Sequence, residues 1–348
     1  IFMSKLSVLK ELPKVELHLH LDGCIDVHSA HGMLQEVNVP RKYRDMSVSE
    51  LKKIMVVDKS LKSQKELLEY FRIPTMILQT GNNLKRAYYE LCKIKKDDNV
   101  CYCEVRFAPQ LHTLGGLTFD EIMLSVLEGK RQGERDFGIL TNIIIVGLKD
   151  RTSNENIEML EEIKKYKDFG VIAVDCAGVE EDFSIMEQQK FLLRARERGF
   201  KITFHCGEVK ESLDDLINMT QAVTPDRIAH GSIAIGSLDF CKELIKKNIM
   251  LDICPTSNLQ AGLYQKYSEV PLKSLYGMGV PISINTDDTV LSDISLSEEL
   301  NLVLQNSNLT LKELIDMNFK ALEHSFADDK TKEVILNKIN IFLKGKLI

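Results

Sequence analysis

Eight short β-branched runs, amphipathic helical patterns after most of them and a length of 348 residues together predict an α/β fold, a (β/α)8 or TIM barrel. The runs are residues 15–20, 100–107, 140–146, 171–175, 201–205, 227–230, 249–254 and 281–287. Helical patterns at 118–135, 154–166, 185–197, 214–222, 239–247 and 272–276 supply the crossovers that parallel strands require. A doubly wound sheet is the alternative, but no glycine-rich phosphate turn follows the first strand.

The gap between the first two strands is too long for one crossover. Residues 40–79 read as several inserted helices, starting at Ser47-Val-Ser-Glu50, which has capping-box spacing. Helices inserted on the carboxyl side of a barrel often form a lid, so the expectation is a single domain over 1–348 with a lid-like insertion at about 40–80. The region 296–347 is amphipathic throughout, and Thr310-Leu-Lys-Glu313 has the spacing that starts a further helix. Extra C-terminal helices are therefore expected.

Composition excludes several classes of protein. With 44% hydrophobic and 28% charged residues, the chain has ample material for a core. Its net charge of -6, without a basic face, argues against nucleic-acid binding. The most basic stretch, 52–65, is interrupted by Asp58 and apolar residues and reads as a helix surface. No apolar run approaches the ~20 residues that span a bilayer, and Ile1-Phe-Met-Ser-Lys5 lacks the order of a signal peptide. Eight cysteines mostly sit in apolar runs, where reduced thiols behave as small hydrophobes. A disulfide framework belongs to short secreted chains. The expectation is a reducing, cytoplasmic setting, and a monomer or weak homo-oligomer.

Reactive groups in such barrels gather where strands end. Strand one ends His18-Leu-His-Leu-Asp-Gly23, strand five His205-Cys-Gly-Glu208, strand six His230-Gly231 and strand eight Asp287-Asp288. His18 and His20, two apart on a strand, point to one face. With His205 and Asp287 they make a His3Asp set without thiolates, which suits one zinc ion with an exchangeable water. The competing reading of His-x-His is a pair of hydrogen-bonded core histidines. Zinc lowers the pKa of water towards ~7. Glu208, three residues past His205, is placed for a general acid. His230 is placed to accept a proton from the water, and Asp288 to orient that water. A solvated loop carboxylate and a packed strand-end histidine are the bland readings of Glu208 and His230.

Absences narrow the chemistry. Barrel hydrolases with two metals generally bridge them with a carboxylated lysine from strand four, and Val171-Ile-Ala-Val-Asp-Cys-Ala-Gly178 has none. The His-x-Glu and Pro-Cys-x-x-Cys signatures of the cytidine-deaminase fold are also missing.

These residues resemble the adenosine deaminase family of the amidohydrolase superfamily. The matching motifs are His18-Leu-His-Leu-Asp-Gly23, Glu104-Val-Arg-Phe-Ala-Pro109, His205-Cys-Gly-Glu208, His230-Gly231, Cys254-Pro-Thr-Ser-Asn258 and Asn285-Thr-Asp-Asp288, in family order over nearly the whole chain. The resemblance implies zinc on His18, His20, His205 and Asp287. It implies that Glu208 protonates the purine N1 and that His230 is the base. Asp288 would hold the water and contact the ring, the Gly178 backbone would meet the purine, and Asp22 with His20 would face the ribose. An activated water would then add to C6, and ammonia would leave. The implied activity is deamination of adenosine or 2′-deoxyadenosine in purine salvage. Alternatives are adenine or a 5′-modified 6-aminopurine nucleoside, although Asp22, where adenine deaminases tend to carry Glu, favours a nucleoside.

The chain departs from the common pattern at Cys24, Cys206, Ala229, Thr289 and Val179, the last beside the expected ring contact. None removes a ligand or a catalytic group. A silent binding protein would not need the acid–base set, and a phosphoesterase would need a basic clamp that is missing here. His28 with His31 is read as a helix surface or lid contact, His112 and His324 as structural, residues 76–78 as lid core, and Asn258 as support for the top of strand seven.

Overall fold

The computed structural model describes residues 5–58 and 61–346. The readings of Ile1–Ser4, of 59–60 within the insertion and of 347 lie outside the described residues. The barrel is present. Strands β1 (Lys14–His20), β2 (Val100–Phe107), β3 (Leu140–Leu148), β4 (Val171–Ala177) and β5 (Lys201–Ile202) pair in parallel and in sequence order. Strands β6 (His205–Cys206), β7 (Arg227–His230), β8 (Met250–Ile253) and β9 (Ile282–Ile284) form a second parallel run.

Two seams close the ring. At one, the His20 amide donates to the Asp287 carbonyl at 2.8 Å and the Asp287 amide to the His18 carbonyl at 3.2 Å. At the other, the expected fifth strand, 201–205, is split into β5 and β6. Its first half pairs with β4 and its second with β7. The Thr203 amide still bonds the Val174 carbonyl at 2.9 Å, and Ala229 bonds the Phe204 carbonyl at 2.9 Å, so the two halves act as one stave that changes partner. The eighth run is regular strand only over Ile282–Ile284, and beyond it Asp287, with a left-handed backbone (φ 64°), makes the isolated bridge to β1.

Each helix forms where its caps and periodicity direct. Phe119–Phe137 opens on a Thr118/Glu121 capping box and stops at Gly138, whose φ of 66° suits glycine. The Ser47/Glu50 and Thr310/Glu313 capping boxes both form. After β1 come short helices Val27–Leu34, Arg41–Arg44, Val48–Met55, Gln64–Leu68 and Arg72–Ile77. The crossover helix itself, Gly81–Asp97, follows them, capped by Thr80. Among the described residues of the basic stretch, 52–55 and 64–65 are helical, while Val56 and Val57 lie outside the helix and are buried. Helices Leu296–Asn306, Leu311–His324 and Asp329–Lys346 complete the chain. Ile335 and Ile339 of the last one pack on Val15, Cys101 and Met250, where strands begin. That end is plugged, which leaves the carboxyl ends of the strands to carry a pocket.

Candidate active site

Four strand ends converge on one point. One ligating atom from each of His18, His20, His205 and Asp287 lies within 4.8 Å of the others. Nε2 of His18 is 2.9 Å and Nε2 of His20 3.3 Å from Oδ1 of Asp287, while the Nε2 atoms of His20 and His205 approach to 3.2 Å. Yet both ring nitrogens of His18, and Oδ1 of Asp287, are buried without a hydrogen-bond partner. Leaving such groups unmet costs about 1–3 kcal/mol each, a deficit that a cation shared among these atoms would remove. A second combination, with His230 and Cys254 beside His18 and Asp287, also satisfies the distances. Burial raises the Cys254 thiol well above its usual range, which disfavours the thiolate a metal needs.

The cluster is braced from outside. Nδ1 of His205 lies 2.9 Å from the Asp175 carboxylate, which also accepts from Arg106 at 2.8 Å. That bond holds the proton on Nδ1 and leaves Nε2 bare towards the cluster. Ser257 Oγ donates to Oδ2 of Asp287 at 2.8 Å. Backbone strain concentrates here too. Two of the seven non-glycine residues with positive φ among the described residues are His230 (65°) and Asp287 (64°), both at strand ends.

Acid and base candidates flank the cluster. Oε1 of Glu208 is 3.4 Å from Nε2 of His230, which is itself 3.6 Å from Asp287. Burial, then the Glu180 carboxylate, raises the Glu208 carboxyl well above the usual range, which favours its protonated form. Burial takes His230 down to about 3 and keeps its ring neutral. Against the cost of burial, the neighbouring imidazoles, His18 foremost, hold Asp287 well below the carboxylate range. Asp288, beside it, is raised well above by burial and by Asp287. The two adjacent carboxyls are thus pushed in opposite directions. Gly23 makes room for Asp288: a Cβ there would sit 1.8 Å from Oδ1 of Asp288.

All predicted site residues except His18 and His230, which lie beneath, line a cavity of about 300 Å³. Asp22 and Asp288 are buried in its wall, each with one carboxyl oxygen unpartnered. Gly178 lines it with φ 147°, a conformation that favours glycine. The inserted segment supplies Gln64, Leu67, Leu68, Phe71 and Thr75 to the wall. Ile77 and Leu78 are wholly buried in the core, in line with the reading of 76–78 as lid core. No Lys or Arg is among the lining residues.

Several participants were not singled out from sequence. Asp175 and Ser257 bond the cluster, and Gln64 reaches Glu208 across 144 residues. Glu180 accepts from the amides of Gly207 and Glu208 at 2.9 and 2.7 Å. Asn258, expected to brace strand seven, has its carboxamide 3.2 Å from Nδ1 of His230. A signal existed for two of these, since Ser257 and Asn258 lie inside the quoted Cys254–Asn258 motif. The histidines set aside stay aside: His28 is exposed, His112 is buried against Phe107, and His324 bonds Lys320 and Asn248.

The family model "Adenosine deaminase" matches residues 13–341. The adenosine deaminase of Clostridium botulinum (strain Kyoto / Type A2) is 34% identical over 95% of this chain and 98% of its own. That of Clostridium perfringens (strain SM101 / Type A) is 31% identical over 96% and 99%. Among solved structures, an adenine deaminase from Arthrobacter aurescens superposes with a TM-score of 0.86 at 20% identity, covering 96% of this chain and 99% of its own. A zinc-bound amidohydrolase from Burkholderia ambifaria does so with a TM-score of 0.87 at 21%, covering 99% and 95%. At that identity the structures speak for the barrel alone. The sequence relatives go further, and the chain belongs to the adenosine deaminase family, as a hydrolytic aminopurine deaminase.

Proposed function

We propose that the chain deaminates adenosine and 2′-deoxyadenosine, with a single zinc ion held by His18, His20, His205 and Asp287. One observation carries the reading: four ligating atoms meet within 4.8 Å in a buried site, flanked by Glu208 and His230, whose Oε1 and Nε2 lie 3.4 Å apart. The donor set fits zinc, being three imidazoles and a carboxylate, among which both ring nitrogens of His18 and Oδ1 of Asp287 otherwise lack partners. Zinc, when bound, supplies the Lewis acidity that makes water a nucleophile near neutral pH.

The chain's own residues do the rest. Neutral His230 takes the proton of the attacking water at Nε2. For that, its other proton must sit on Nδ1, which requires the Asn258 carboxamide, whose nitrogen lies 3.2 Å from Nδ1, to turn over so that its oxygen accepts. Glu208 gives its proton to purine N1 as C6 becomes tetrahedral; the proton held on His230 then passes to the amino group, which leaves as ammonia as the C6 hydroxyl returns a proton to Glu208. Asp288 holds the water and the ring edge, the Gly178 backbone meets the purine, and Asp22 with His20 faces the ribose. Inserted helices carrying Leu67, Leu68 and Phe71 exclude water as a lid over a single-domain barrel.

The wall supports a nucleoside over a nucleotide. A phosphate would meet Asp22 and Asp150 with no lining Lys or Arg. The apolar stretch of Leu67, Phe71, Val179 and Phe183 favours, as a second reading, a 5′-modified nucleoside. The eight buried free cysteines support a reducing cytoplasm as its location, and we propose a monomer or weak homo-oligomer. Among the described residues no helix is long and apolar enough to cross a membrane.

The test incubates zinc-loaded protein with adenosine, 2′-deoxyadenosine, adenine, a 5′-substituted adenosine and adenosine monophosphate, following ultraviolet change and ammonia. Turnover of the first two but not adenine is expected. Turnover of the 5′-substituted compound alone would move the conclusion to the second reading, and ammonia from none would overturn both.

A further inference from the structure

Gln64 is the first residue of the inserted helix Gln64–Leu68, yet it is only 3% exposed. Its carboxamide is fully engaged. Oε1 accepts the Glu180 amide at 2.7 Å, while Nε2 donates to Oε2 of Glu208 at 2.7 Å and to the Gly178 carbonyl at 3.3 Å. The orientation of the amide is determined by this company. Reversed, its oxygen would face two acceptors and its NH2 a donor. Glu180 closes the circuit, since its carboxylate accepts from the Glu208 amide at 2.7 Å. One helix of the insertion is thereby tied to the strand-four turn and to the catalytic acid together.

The chemistry of that contact is directional. An amide N–H can only donate, so the oxygen it meets must accept. In neutral Glu208, Oε2 is therefore the carbonyl oxygen and the proton sits on Oε1, the oxygen 3.4 Å from His230. As that proton leaves, the N–H···Oε2 bond becomes charge-assisted and stronger. We propose that Gln64 is a positioning residue for the acid: it fixes the transferable proton on Oε1 of Glu208 and couples it to the seated inserted helix. Burial of the acid, which favours its protonated form, is consistent with this. The inference rests on the reading of Glu208 as proton donor.

The experiment compares wild type, Gln64→Leu, Gln64→Glu and Glu208→Gln as zinc-loaded proteins with adenosine. Two inhibitors are added: 1-deazaadenosine, which has no N1 to protonate, and a coformycin-type nucleoside with a tetrahedral carbon and a ring N–H. Gln64→Leu should lower kcat roughly 10- to 100-fold, as for loss of a hydrogen bond to a charged group, with KM nearly unchanged. The tetrahedral inhibitor should weaken in proportion, whereas 1-deazaadenosine should bind as before. Gln64→Glu, which sets an acceptor against Oε2, should do at least as much damage, and it keeps the test open should Gln64→Leu not fold. Unchanged kcat in either variant, or equal weakening of KM and of both inhibitors, would overturn the inference. If Glu208→Gln stayed active, the acid reading itself would fall. An inactive Glu208→Gln beside an unimpaired Gln64→Leu would sink the inference alone.

Discussion

Two layers of buried charge share the interior of this barrel, and they are built on opposite rules. In the lower layer Arg106 and Arg227 are wholly buried, and each meets carboxylates. Arg106 bonds Asp175 at 2.8 Å, and Arg227 bonds Asp252 at 2.9 Å and also Glu104. Ser283 adds a bond to Asp252 at 2.9 Å, and Tyr102 adds one to Glu104 at 2.9 Å. In the upper layer His18, His20, His205 and Asp287 crowd together, with both ring nitrogens of His18 and Oδ1 of Asp287 left without a hydrogen-bond partner. Burial is common to both, so burial does not mark a site. What separates them is the degree of satisfaction: in the lower layer every cation meets a carboxylate and, of the two guanidinium groups, only Nε of Arg106 lacks a partner, whereas in the upper one both ring nitrogens of His18 and Oδ1 of Asp287 do. Asp175 belongs to both, accepting from Arg106 below and His205 above.

Substitutions should separate the layers. The largest effect is expected at Glu208→Gln, which should lose about 10²–10⁴ in kcat while keeping its zinc and its melting temperature. Retained activity would show that the donor lies elsewhere. Next, Arg227→Met strands Glu104 and Asp252 without their cation and should cost about 3–5 kcal/mol by denaturant unfolding. The fraction still folded should bind zinc normally, and loss of metal without loss of stability would erase the distinction. Asp175→Asn touches both layers, and should weaken metal affinity about 10- to 100-fold in competition with a chelator, along with some stability.

A carboxyl outside both layers sharpens the contrast. Glu299 is buried, its Oε2 has no partner, and burial raises it from 4.5 to about 8. The folded chain thus keeps a proton that the unfolded chain releases above 4.5. Its contribution is fully present below the unfolded value and is lost as pH rises towards 8, by about 1.4 kcal/mol per pH unit in between. Glu299→Gln should flatten that decline in unfolding experiments. An unaltered slope would show the group to be ionised when folded.

How much of this could be read from the chain varies with the range of the contact. Strands and crossover helices were legible because their signals are local: β-branched runs, capping boxes, and histidines and aspartates where the runs stop. The division of strand five was not, since it depends on which neighbours Thr203 and Phe204 find. The cluster was legible because each member closes a strand, and a barrel brings strand ends together. Gln64 and Glu180 carry no such mark, being an ordinary helix-start amide and a turn carboxylate until folding sets them against Glu208. The pocket wall fell on Leu67, Leu68 and Phe71 because the short helix at 64–68, not the apolar run at 76–78, faces the cavity.

Metal content decides most directly whether the upper layer is what it is taken to be. Elemental analysis of wild type and Asp287→Ala, purified side by side in zinc-containing medium, should find about one zinc ion per wild-type chain and next to none in a folded variant. Equal zinc in both, or a wild type that deaminates adenosine while free of any metal, would contradict it.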